Sequence, residues 1–172
     1  MAASVRLKVA EDTAAYARRA PATQCWRLGV NTLFRRPVFD DTDAARAVAR
    51  VHRASGPWSA SRCLAWVLLP DRWQLLLELA PGDVVERIVQ RFKSASARVV
   101  DPRLRINGWL WERGFDAQLL ADGGERQAAR ELVLDPVRAG LAACIGEYPY
   151  WDAVWLGESL PQPRERRRVA RC

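Results

Sequence analysis

The chain has 172 residues, 49% of them hydrophobic, and a formal net charge of +7 carried almost wholly by arginine, with lysine only at Lys8 and Lys93. That content excludes an intrinsically disordered chain and gives one domain enough apolar surface for a real core. No apolar run approaches the ~20 residues that cross a bilayer, and the start lacks a charged-then-apolar leader, so a cytoplasmic protein without a membrane partner is expected.

Arginine presents a planar fork suited to phosphates and bases, which makes nucleic acid the first partner to consider and an anionic membrane surface the second. Cys25, Cys63, Cys144 and Cys172 are scattered and the sole histidine is His52, so neither a zinc site nor a disulfide framework is expected.

Residues 1–22 read as an N-terminal extension, Ala-rich and without a strand pattern, with a short helix around Glu11 to Arg19 as one option. "CWRLGVNT" alternates as a half-buried strand does. Asp41 or Thr42 caps a first helix through "AARAVARVHRA", which places His52 on the helix surface. "SRCLAWVLLP" and "WQLLLEL" read as an antiparallel strand pair hinged at Pro70, with Arg72 and Gln74 on one face. Asp83 is expected to cap a second helix, whose apolar stripe runs from Val84 to Phe92 with Arg87, Arg91 and Arg98 off it. "DPRLRINGWLWERGF" reads as a loop, "FDAQLL" as a strand, and 125–134 as a third helix stopped before Pro136. An aromatic segment, "EYPYWDAVW", closes a domain spanning 23–157, and 158–172 form a basic, disordered tail. The element order is that of an α+β, ferredoxin-like sandwich: an antiparallel sheet with helices packed on one face.

Five segments carry a resemblance. "NTLFRRPVFDDTDAARAV", "CLAWVLLPDRWQLLLEL", "GWLWERGF", "LVLDPVRAGLA" and "EYPYWDAV" resemble, in order and over about residues 25–156, the REP-associated tyrosine transposases and related small single-strand transposases of the HUH type. The resemblance implies metal-dependent cleavage of single-stranded DNA. In that family two histidines flanking one residue bind Mg2+ or Mn2+, and a helix tyrosine forms a covalent phosphotyrosine.

By that resemblance, Arg72 and Gln74 stand at the histidine positions and Glu131 at the tyrosine position. Arginine stays protonated and ligates no metal. The expectation is therefore a degenerate member with no catalytic residues, no metal site and no cofactor. An Arg72–Glu131 bridge across the vacated site and plain drift are both open explanations, and Tyr148 and Tyr150 are assigned to packing.

What the resemblance leaves is recognition of hairpin or single-stranded DNA. Arg87, Arg91, Lys93, Arg98, Arg103 and Arg105 are candidates for phosphate contacts, and Trp109 or Trp111 for stacking an unpaired base. Arg166, Arg167 and Arg168 in the tail add salt-sensitive affinity. An enzyme that nicks through unidentified residues, and a dimerisation partner of an intact relative, stand as alternatives. A homodimer is left open.

Overall fold

The computed structural model of the chain describes residues 6–8, 24–54, 58 and 60–157. The helix expected around Glu11 to Arg19 and the tail after residue 157 lie outside these residues.

The strands are β1 (Arg6–Lys8), β2 (Gln24–Asn31), β3 (Arg62–Leu69), β4 (Arg72–Leu79), β5 (Asp116–Leu119) and β6 (Trp151–Ala153). They form one antiparallel sheet in the order β1-β5-β2-β4-β3-β6. With α1 (Thr42–Arg53) between β2 and β3, and α2 (Val85–Val99) between β4 and β5, the four central strands take the split βαβ arrangement of a ferredoxin-like sandwich. β6 extends this sheet at one edge, pairing with β3. At the other edge β1 pairs with β5, a strand within residues read as an unpatterned extension.

Period-two alternation decides which side chains meet. Trp26, Leu28 and Val30 of β2 and Trp73, Leu75, Leu77 and Leu79 of β4 all point to the face covered by α1 and α2. α1 presents Ala44, Ala45, Val48, Ala49 and His52 to that layer, and α2 presents Val85, Ile88, Val89 and Phe92. α1 starts where expected, with the Asp41 carboxylate accepting from the Ala44 N–H at 2.8 Å. α2 does not: its N-cap is Val84, and Asp83 instead accepts from the Ser61 hydroxyl and, at 3.1 Å, from the Ser61 N–H. That bond ties the start of β3 to the end of β4, so the aspartate serves the sheet.

The opposite sheet face is covered over part of its width. α3 (Glu125–Val133) sets Ala128, Ala129 and Leu132 on Leu64, Ala65, Val67 and Leu69 of β3 and on Leu76 of β4. Beyond the face covered by α1 and α2, α3 packs on the second face, and β3, buried on both sides, reads as a continuous apolar run for that reason. A one-turn helix, α4 (Asp135–Arg138), follows at once with Pro136 in its first turn, so the proline opens a new turn where the preceding helix ends.

His52 is not on the surface. It is 4% exposed, at the last turn of α1, with ring centroids of Trp58, Trp66, Trp73 and Phe92 at 4.7, 4.2, 5.6 and 6.1 Å. Burial pulls its pKa from 6.5 to about 3, helped by the charge of Arg53.

Candidate nucleic-acid interface

The hinge expected at Pro70 forms a tight β3–β4 turn, and Arg72 and Gln74 do share one face, away from α1 and α2. Beside them on β2, Gly29 pairs with Gln74 and Asn31 with Arg72, which leaves Arg27 diagonal to Gln74 on the same face. A cleft of about 310 Å³ opens here, lined among others by Arg27, Asn31, Arg35, Arg72, Gln74 and Asp116. Gly29 forms part of its floor.

Every guanidinium at this cleft meets a carboxylate. Arg72 bonds to Asp71 at 3.2 Å, and Arg35 bonds to the same carboxylate at 2.7 Å. Arg27 lies 3.7 Å from Asp135 and 3.8 Å from Glu131, and donates to the Gln74 Oε1 at 3.4 Å. The Gln74 amide nitrogen in turn donates to Asp135 at 2.8 Å. Arg138 reaches Asp135 at 3.2 Å and the Glu131 carbonyl at 2.9 Å, bracing α4 against α3.

An Arg72–Glu131 bridge is thus overturned. Arg72 is held at the hinge by Asp71, and the cation facing Glu131 is Arg27, on the neighbouring strand β2. The carboxylates of Asp71, Glu131 and Asp135 each already face a guanidinium. The amide oxygens of Gln74 and Asn31 each take a guanidinium, and among the described residues no group of three His, Cys, Asp or Glu is placed to hold an ion. The residues present do not fit the divalent metal that the resemblance implies.

The tyrosines behave as packing residues. The Tyr148 hydroxyl donates to the Leu68 carbonyl at 2.6 Å, and burial pushes its pKa up to about 12. Tyr150 donates to the Thr42 carbonyl at 3.5 Å.

The arginine-rich side lies on α2 and the following loop. Arg87, Arg91 and Arg98 are exposed along α2. Lys93 is buried, and its ammonium gives its three hydrogens to the carbonyls of Glu112, Arg113 and Gly114 at 2.7, 3.1 and 2.7 Å. Lys93 is therefore a strut between α2 and the loop and offers nothing to a phosphate. Arg103 is exposed but forked onto Asp101, while Arg105 is half-buried and donates to the Val100 carbonyl at 2.7 Å.

The two tryptophans of the loop separate cleanly. Trp111 is 3% exposed, bonded through its ring N–H to the Ser96 hydroxyl at 2.9 Å, and packed on Phe39 and Phe92. It has no face to give a base. Trp109 is 56% exposed, with the Arg113 guanidinium 5.9 Å from its ring centroid. Arg166, Arg167 and Arg168 lie outside the described residues.

Arg27 and Phe34 were not foreseen. The signal for Arg27 was available: in "CWRLGVNT" it alternates out of phase with Trp26 and Leu28, on the face of Gln74. Phe34, 74% exposed, follows from a conformation that residue type does not announce, with both Phe34 and Arg35 at positive φ (58° and 55°). Its loop is tied to the tryptophan loop by the Leu33 N–H donating to the Leu110 carbonyl at 2.9 Å.

No family model matches the chain, and no curated protein matches it by sequence. Among solved structures, the fold is similar to that of a REP-associated tyrosine transposase bound to a REP hairpin, with a TM-score of 0.53 and 19% identity over 78% of this chain and 79% of that one. A second similar chain is a candidate transposase from Deinococcus radiodurans R1, with a TM-score of 0.46 and 22% identity over 69% of this chain and 94% of that one. The α+β transposase-like fold is established by the first of these likenesses.

Proposed function

We propose that the chain is a member of the REP-associated tyrosine transposase family that binds hairpin or single-stranded DNA and does not cut it. Support for the ancestry comes from the five ordered sequence segments and the shared fold, and support for the ligand from the hairpin carried by the structural neighbour. One observation carries the loss of cleavage: Gln74, at a position where the resemblance implies a metal-binding histidine, is closed into a network with Asp135 and Arg27.

The arrangement works against both halves of the family's chemistry. The guanidinium of Arg27 beside Gln74, with Arg72 on the same face, works against a divalent ion there by like-charge repulsion. Glu131 stands at the nucleophile position as a carboxylate paired with Arg27, with no hydroxyl to attack. Phosphate contacts are assigned to Arg87, Arg91 and Arg98 on α2, with Arg103 beside them and the tail arginines adding non-specific affinity.

The test is to incubate the protein with a labelled hairpin bearing a single-stranded flank, with magnesium or manganese, and to resolve the products under denaturing conditions. Salt-dependent binding on a filter with no covalent adduct on the gel is the expected pair of results. An adduct would overturn the loss of cleavage, and absence of binding at low salt would overturn the DNA-binding reading.

A further inference from the structure

We infer that the cleft between α2 and the turn at Ile106–Trp109 seats one unpaired nucleobase of single-stranded DNA, stacked on Trp109. This rests on the DNA-binding reading above and names the contact that reading leaves open.

The display of Trp109 is built into the backbone. Asn107 and Gly108 both have positive φ (49° and 83°), and Ile106 and Trp109 exchange both backbone hydrogen bonds, at 2.9 and 2.8 Å. That is a two-residue hairpin of the primed type, for which Asn-Gly is the favoured sequence. The hairpin holds the indole in place before any ligand arrives, so little ordering cost attends binding. Trp111, two residues on, is absorbed by the core through Ser96, which leaves Trp109 without a comparable structural task.

The cleft beside it measures about 380 Å³ and is lined by Gln90, Ser94, Trp109 and Arg113, among others. It combines a planar aromatic wall with an amide and a hydroxyl one helical turn apart on α2, which can meet the edge of a base. Lys93 also lines it, but its ammonium is spent on three carbonyls. Arg113, already near the indole, is within reach of the phosphate of a base stacked there.

Charge decides between the two clefts. At the sheet face every guanidinium is matched by a carboxylate. Arg87, Arg91 and Arg98 on α2 have no ion-pair partner among the described residues, so the positive field that attracts a phosphate chain lies on the Trp109 side. Stacking against a neutral wall favours no particular base, so tolerance of sequence is expected.

The experiment is fluorescence anisotropy with a labelled oligothymidine and with a strand of equal length made of abasic residues. For the wild type the base-bearing strand binds more tightly. Trp109→Ala weakens oligothymidine binding by about tenfold, within the 5- to 150-fold range of about one stacked base, and leaves the abasic strand unchanged. Trp109→Phe restores most of the loss. Undiminished oligothymidine binding by Trp109→Ala, or an equal loss for both strands, would overturn the stacking site while the DNA-binding reading stands. No binding of either strand by the wild type would overturn the stacking site, and the hairpin titration separately decides the DNA-binding reading.

Discussion

His52 shows what a single buried imidazole does to a basic protein. Its Nδ1 has no hydrogen-bond partner, and aromatic rings surround it. In the unfolded chain it takes a proton near pH 6.5, and in the folded chain only near about 3. Between those values the unfolded chain holds more protons, so stability is greatest above the upper value and is lost as pH falls. The expected loss is on the order of 2 kcal/mol from pH 7 to pH 5, measured by urea denaturation at each pH. His52→Phe, which forfeits no hydrogen bond at Nδ1, should remove that slope above the range where carboxylates titrate. None of this was legible in the sequence. A helix surface and an aromatic cage both accept a histidine at the last turn of α1, and the cage is assembled from Trp58, Trp66, Trp73 and Phe92, which only the fold brings together.

At the scale of elements, the links between them matter as much as their faces. Lys93 reaches from α2 to three successive carbonyls of the segment entering β5, and burial lowers its pKa to about 8. Lys93→Met keeps the stem and removes the donors, leaving three carbonyls to find water. A destabilisation of at least ~2 kcal/mol is expected by chemical denaturation. As a sequence position Lys93 differs from the exposed Arg91 only by its phase on the helix, next to Phe92. The strands and long helices were legible because their apolar periods are clean. The Asn-Gly hairpin was equally available in "INGW" but lies inside a stretch too short and too polar to read as paired strands. The cap expected from Asp83 does not form because Ser61, distant in sequence, competes for the same carboxylate.

At the scale of the molecule, the sheet divides its work between two faces. The face toward α1 and α2 holds the large aromatic core, and the other is apolar under α3 but polar beyond it. On the polar part Arg27 is as consequential as the three positions that the family pattern singles out. Restoring Arg72→His, Gln74→His and Glu131→Tyr together is therefore expected to give no covalent adduct with a hairpin and manganese. The guanidinium of Arg27, now 3.4 Å from the Gln74 oxygen, would repel the ion. Adding Arg27→Ala tests that explanation directly, since adduct formation by the triple variant alone would contradict it. The fold was legible in the order of elements. The partners of Arg72 and Gln74 were not, because Arg72 had a nearer carboxylate in Asp71 than any helix could offer.

The two-faced sheet has a consequence for descent. A change at Arg27, Arg72 or Gln74 disturbs half-buried groups beside a water-accessible cleft and leaves Trp26, Trp73 and Phe92 where they are. Selection on chemistry and selection on folding thus act on different sides of the same strands. A lineage can exchange one side wholesale while inheriting the other, and kinship will be readable in the architecture long after it has faded from the residues that once did the work.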